Sequence, residues 1–317
     1  MLNGEGSFPV DFILRPLYPM NAHIFPGQGA QYVGMGKSLC EKFPAAREVF
    51  EAANRLLGFD LAKVCFDGPI EELTRTDVSQ PCILTCSIAA LRAMGNLPCH
   101  AAAGLSLGEY TALVCAGAID FEEALPLVRD RGRYMQEAAL ERPGTMASVL
   151  GMDRSKVEDI VARAAAAGVV AVANLNAPGQ IVVSGEGAAV DEVCRLAKEA
   201  GSKALKLNVA GAFHSPLMES GRAKLEKRLE SVNIAAPKCI VVSNVTGQPV
   251  SGPDEIRQLL ARQVTSPVLW ENCMRTMLAM GIKDFAEIGP GKVLAGLMRR
   301  IEPSAAVRNI DGAETIA

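Results

Sequence analysis

Gly104-Leu105-Ser106-Leu107-Gly108 joins a run of small residues to a helical pattern, and few architectures accommodate such a junction. Ala101-Ala102-Ala103 before it suits a buried strand, and the stretch 109–116 after it reads as a helix. Glycines two places either side of Ser106 let the backbone bend sharply and hold the hydroxyl at the helix N-terminus. Unpaired N–H groups and the helix dipole favour negative charge there, as the oxyanion of an acyl transfer requires. A bare G-x-S-x-G fits an ordinary strand-to-helix turn with an exposed serine equally well, so the motif alone leaves both readings open.

Helical and strand patterns alternate along the rest of the chain, which predicts an α/β fold with a mainly parallel sheet flanked by helices. The first strand is expected over 22–25, ending at Pro26-Gly27, with helices over 45–57 and 80–94 before the Ser106 turn. Residues 144–209 differ in character: strand 145–150, helix 155–167, strand 169–174, turn 176–179, strand 180–184, helix 188–200, strand 203–209. That βαββαβ order is the split-βαβ, ferredoxin-like unit. It is expected as an insertion, so the predicted organisation is a tail over 1–20, a catalytic subdomain from 21–142 and 210–317, and a small subdomain over 143–209. Strands over 239–243 and 284–288 and a helix over 256–263 resume the alternation afterwards.

Composition removes several classes. Hydrophobic residues make up 49% of the chain and charged ones 21%, a soluble globular balance. A net charge of −3 predicts no nucleic-acid surface, and no apolar run approaches the length of a membrane span. The 9 cysteines form no C-x-x-C pair, which points to free thiols in a reducing compartment. Only 3 histidines exist, His23, His100 and His214, with no metal-ligand spacing, so no metal is expected. The first twenty residues, with Glu5, Asp11 and Arg15, resemble neither a signal peptide nor a transit peptide.

A nucleophilic serine needs a base. His23 falls inside an apolar strand, and His100 precedes the strand at the end away from Ser106. His214 sits in Gly211-Ala212-Phe213-His214-Ser215-Pro216, a stiff irregular loop that suits either a base or a solvated histidine. Serine before histidine is the chain order of α/β-hydrolases, but no acidic third member stands out. Pro26-Gly27-Gln28-Gly29-Ala30-Gln31 fails as a Walker loop because Gln31 replaces the required glycine, and as a dinucleotide fingerprint because of Tyr32. It remains a tight turn able to bring the Gln28 amide or a backbone N–H to the Ser106 turn, both at strand C-termini. Arg129, Arg131 and Arg133 form a basic run on one helix, which ordinarily means a solvated face.

As a set, these stretches resemble malonyl-CoA:acyl carrier protein transacylases, the loading enzymes of type II fatty acid synthesis. The resemblance rests on residues 25–31 and 104–113, Arg131-Gly132-Arg133-Tyr134-Met135-Gln136, and 174–185 with Pro178-Gly179-Gln180. It continues through 211–216, Ser243-Asn244-Val245-Thr246-Gly247, 263–267 with Trp270, and Glu287-Ile288-Gly289-Pro290-Gly291. It implies an α/β-hydrolase-like subdomain carrying a ferredoxin-like insert. It further implies Ser106 as nucleophile, His214 as base, Gln28 and the Leu107 N–H as oxyanion hole, and Arg131 as clamp for the free malonyl carboxylate. Gln263 matches the family's neutral third member and would orient the imidazole, while Phe213 would crowd an α-methyl branch and favour malonyl.

The implied substrates are malonyl-CoA and the phosphopantetheine arm of acyl carrier protein, with no bound cofactor, and a monomer is expected. Leu105 stands where bacterial members usually carry histidine and plastid-type members often carry leucine, so bacterial cytoplasm and plastid stroma both stay open. An acidic carrier calls for a basic patch near the entrance, with Lys203, Lys206, Arg299 and Arg300 as candidates. The rival readings are a polyketide-pathway acyltransferase of the same chemistry and a serine thioesterase or hydrolase.

Overall fold

Side chains along the first strands alternate between two apolar cores, which is how the buried sheet announces itself. The computed structural model describes residues 20–316, so the expected tail, apart from Met20, lies outside the described residues. The chain lays down β1 (Asn21–Phe25) and β2 (Ala101–Gly104), then β3 (Thr145–Leu150), β4 (Val170–Ala177), β5 (Gln180–Gly185) and β6 (Lys203–Lys206). It finishes with β7 (Ile240–Val241), β8 (Asp284–Ile288) and β9 (Ala306–Ile310). Five strands form one sheet in the order β7-β2-β1-β8-β9, and every pairing in it is parallel.

Ala22, Ile24, Ala101, Ala103 and Phe285 face one side, against the helices Trp270–Ala279 and Val293–Ile301. Phe25, Ala102, Ala286 and Ile288 face the other side and join the larger core. That face is covered by the helices Thr76–Ala93, Leu107–Cys115 and Phe121–Glu141. Helices on both faces are what a parallel sheet demands, since its crossovers must lie there.

The four remaining strands form a separate antiparallel sheet in the order β4-β5-β3-β6. Ala147, Val149, Leu175 and Val183 pack on the helices Arg154–Ala164 and Gly187–Glu199, while Met146, Ala173 and Val182 turn the opposite way into the larger core. The two sheets are therefore joined by apolar packing, and by backbone bonds from Val268 N–H to Ala173 O and from Leu175 N–H to Val268 O. Among the described residues no helix is long and apolar enough to cross a membrane.

Several boundaries differ from the sequence reading. The expected strand over 203–209 stops at Lys206, and Leu207, Asn208 and Val209 leave the sheet to line a cavity instead. The expected strand over 239–243 shrinks to two residues, because Ser243 and Asn244 enter a turn closed by a bond from Ser243 N–H to Gln248 O. β4 runs on to Ala177 through two irregularities in its pairing, so the turn contracts to Pro178-Gly179, with Gly179 at φ 67°.

Candidate active site

Three backbones meet at the Ser106 turn with no room for side chains. A Cβ on Gly104 would lie 1.9 Å from the carbonyl carbon of Gly108, one on Gly108 would lie 2.2 Å from Phe25 O, and one on Gly27 would lie 2.3 Å from Leu105 O. Sterics alone thus require both glycines of the motif and Gly27 of the neighbouring turn. Ser106 itself takes φ 53° and ψ −102°, a strained conformation for a residue with a side chain. It stands directly before the helix Leu107–Cys115, whose first N–H groups have no partner within the helix.

The strain is held by a buried amide. Asn244 Oδ1 accepts from Ser106 N–H at 2.7 Å, and Asn244 Nδ2 donates to Gly104 O at 2.8 Å. This residue clamps the turn on both sides of the serine.

His214 Nε2 lies 2.8 Å from Ser106 Oγ, and His214 Nδ1 lies 2.8 Å from the backbone oxygen of Gln263. A carbonyl oxygen only accepts, so Nδ1 carries the ring proton and Nε2 is left to accept from the serine hydroxyl. Burial, reinforced by the charge of Arg131, lowers the His214 pKa to about 4. The imidazole is therefore neutral at neutral pH, the form a base needs.

At Gln263 it is the backbone carbonyl that meets the imidazole, while its side-chain amide turns elsewhere. Gln263 Oε1 accepts from Arg131 Nη2 at 2.9 Å, and Nε2 donates to Glu109 Oε2 at 2.6 Å and to Ser106 O at 3.0 Å. A helix that ends at Gln263 places both groups at the site at once.

Arg131 departs from the solvated face that such a basic run ordinarily means, whereas Arg133 keeps to it. Arg131 is buried, donating from Nη2 to Ser106 Oγ at 3.0 Å and from Nη1 to Gln80 Oε1 at 2.7 Å, with its guanidinium 5.3 Å from the Tyr110 ring centre. Its Nε has no partner among the described residues. Arg129 instead caps Leu57 O, and Arg133 pairs with Asp130 at the surface. Every direct partner of Arg131 is neutral. The buried Glu109 is linked to it through Gln263, and burial raises that carboxyl to about 7.

Gln28, Ser106, Arg131, His214 and Phe213 all line one cavity of about 540 Å3 between the two sheets. Asn174, Gln180 and Val182 of the antiparallel sheet supply its opposite wall, and Val293 and Leu297 border it too. Leu107 buries its side chain and presents its N–H at the helix start. His100 bonds Asn21 at the far ends of the strands, and His23 contacts Cys115, so neither reaches Ser106. Sequence reasoning missed Asn244, Glu109 and Gln80 as site residues. A lone acid in the otherwise apolar helix Leu107–Cys115 was the one available signal for Glu109.

A strained serine at a strand–helix turn, a neutral histidine on its hydroxyl and a buried arginine beside both define a serine acyltransferase. The acyl transferase domain family matches residues 22–314. The malonyl CoA-acyl carrier protein transacylase of Bacillus subtilis is 42% identical over 300 residues, covering 93% of this chain and 94% of that protein. The chain belongs to this family of acyl transferases. The crystal structure of a malonyl CoA-acyl carrier protein transacylase from Clostridium perfringens superposes with a TM-score of 0.90 at 40% identity, over 94% of this chain and 95% of that one. A malonyl-transacylase solved in complex with AntF, a type II PKS acyl-carrier protein, gives a TM-score of 0.91 at 37% identity, over 94% and 97%.

Proposed function

We propose that this enzyme moves a malonyl group from malonyl-CoA to the phosphopantetheine thiol of acyl carrier protein through a malonyl-Ser106 ester. The observation that carries the reading is Arg131 Nη2 at 3.0 Å from Ser106 Oγ, inside the cavity. A fixed cation one hydrogen bond from the nucleophile selects an acyl group that ends in a free carboxylate.

Ser106 Oγ attacks the thioester carbonyl while its proton passes to His214 Nε2. Negative charge builds on the carbonyl oxygen, facing the Leu107 N–H and the Gln28 amide. The intermediate collapses, the C–S bond breaks, and His214 returns the proton to the departing CoA thiolate. A histidine held near pKa 4 gives that proton up readily, and among the described residues no carboxylate bonds its ring. The carrier's thiol then reverses the sequence, so the reaction is ping-pong and needs no bound cofactor. Phe213 would crowd an α-methyl branch. Of the four candidate cations, Lys206 is paired with Asp191, whereas Arg299 and Arg300 lie on the helix that borders the cavity, which favours these two for the acidic carrier.

The architecture this reading implies is an α/β-hydrolase-like catalytic subdomain over 21–142 and 210–317, with the ferredoxin-like subdomain over 143–209 forming the second wall. It acts as a monomer, since one chain supplies the whole site. The B. subtilis and C. perfringens relatives favour bacterial cytoplasm over plastid stroma. The similarity to the AntF partner favours, as a second reading, a carrier protein of a polyketide pathway.

The test is the intact mass after mixing with malonyl-CoA. One malonyl adduct, absent in Ser106→Ala and discharged by a phosphopantetheinylated carrier protein, is the expected result. Steady release of malonate with no adduct would make the protein a hydrolase. Fatty-acid and polyketide carriers offered side by side would decide between the two transferase readings.

A further inference from the structure

The catalytic machinery leaves one cluster of chemistry-bearing side chains unexplained, at the opposite end of the parallel sheet. His23 projects from β1 onto the face covered by the helix Leu107–Cys115, and Cys115 is that helix's last residue. Cys99 lies just before β2, and Cys239 just before β7. Three segments distant in sequence thus bring three soft donors together, with a further thiol beside them. His23 Nδ1 is 3.7 Å from Cys115 Sγ, and a His23 ring nitrogen, Cys99 Sγ and Cys115 Sγ all lie within 4.8 Å of one another. Cys239 Sγ lies 3.7 Å from Cys99 Sγ, beside this set but outside it. Among the described residues no other set of three histidine, cysteine or acidic ligand atoms is this close.

These spacings match a known geometry. Tetrahedral zinc bonds sulfur at about 2.3 Å and nitrogen at about 2.0 Å, so neighbouring ligand atoms stand roughly 3.5–3.8 Å apart. The His23–Cys115 separation already falls in that range, and an imidazole with two thiolates is a donor set that zinc favours. We infer that His23, Cys99 and Cys115 form a site for a thiophilic divalent cation, Zn2+, with its fourth position left to water, that ties the base of the elbow helix to the starts of β1 and β2.

Further features favour a cation there. The C-terminal carbonyls of the helix Leu107–Cys115 carry partial negative charge. Cys99 and Cys115 are each only half-buried, so an ion has access. Two thiolates balance the charge of a divalent ion, and because zinc takes thiolates rather than thiols, binding releases protons.

The site acts on stability rather than chemistry. The 9-residue helix separates it from Ser106 by roughly 13 Å.

The test is a titration of the full, reduced chain with Co2+ as the spectroscopic probe. One equivalent should produce thiolate-to-cobalt charge-transfer and intense tetrahedral d–d bands, and one equivalent of Zn2+ should erase them. Zn2+ should also raise the melting temperature, because an ion that binds only the folded state stabilises it. Cys99→Ser and Cys115→Ser should each abolish the bands and the Zn2+-induced shift, with malonyl loading on Ser106 unchanged. If Cys115→Ser fails to fold, His23→Gln supplies the second variant, with at least tenfold weaker Co2+ binding expected. Absence of thiolate bands, or bands that survive these substitutions, would overturn the assignment. So would a Cys99–Cys239 disulfide, seen as a loss of two hydrogens in mass, that forms equally with Zn2+ present.

Discussion

Arg131 is the residue on which selectivity turns, because its planar fork engages three neutral partners at once. Lysine keeps the charge but cannot reach Gln80, Gln263 and the serine hydroxyl together. Arg131→Lys should therefore lower kcat/KM for malonyl-CoA by about 10²-fold, the value of a lost charge-assisted pair, while acetyl loading changes little. Intact-mass loading rates with the two thioesters check this, and equal losses for both would remove the carboxylate clamp. His214 makes a second prediction. Its pKa is depressed, so the neutral base persists as pH falls, and single-turnover malonylation should hold its rate below pH 6.5 with an acid limb near 4 to 5. A limb at 6.5 would mean that the imidazole is solvated during turnover.

At the scale of elements, the Ser106 turn is a contact between backbones, and its glycines are a packing requirement before they are a signature. A methyl on Gly108 would meet Phe25 O, which belongs to a central strand and cannot move cheaply. Gly108→Ala should cost at least ~3 kcal/mol or prevent folding. Asn244→Ala should cost ~2–4 kcal/mol by orphaning Ser106 N–H and Gly104 O. Urea unfolding checks both, and a loss under about 1 kcal/mol for Gly108→Ala would contradict the close approach.

How much of this was legible in the chain follows from what periodicity reports. Short runs buried on both faces made β3, β5 and β8 readable almost to the residue, because each strand is packed between two cores or sheet layers and ends where the burial ends. β7 was overread, since its apolar run continues into residues that leave the sheet to hold the turn. Gln263 was found by resemblance, but a sequence does not say whether a carbonyl or an amide touches the imidazole. The thiols around His23 were invisible, because tertiary folding alone brings positions 23, 99, 115 and 239 together.

Across the whole molecule, burying ionisable groups on both ends of one sheet couples stability to pH. His23 and His214 each hold a folded pKa near 4, against about 6.5 when unfolded. Both stay neutral in the fold, so the unfolded chain binds their protons first, and stability is lost as pH falls from 6.5 toward 4. Glu109 runs the opposite way. Its carboxyl is raised from 4.5 to about 7, so its contribution is present at low pH and lost as pH climbs through that window. Two histidines against one glutamate leave a net uptake of about one proton on unfolding, a slope on the order of 1 kcal/mol per pH unit between 6.5 and 4.5. Urea midpoints of the reduced, metal-free protein should therefore fall across that range. Glu109→Gln should steepen the fall by about one further proton, because it removes the opposing carboxyl while an amide oxygen can still accept from Asn244 N–H and the Gln263 amide. Zn2+ ligated to His23 would compete with the proton at that imidazole, so the zinc-loaded protein should hold its midpoint further into acid. A midpoint that stayed level from pH 6.5 to 4.5 in both the parent and Glu109→Gln would show that these three groups are far better solvated than their packing implies.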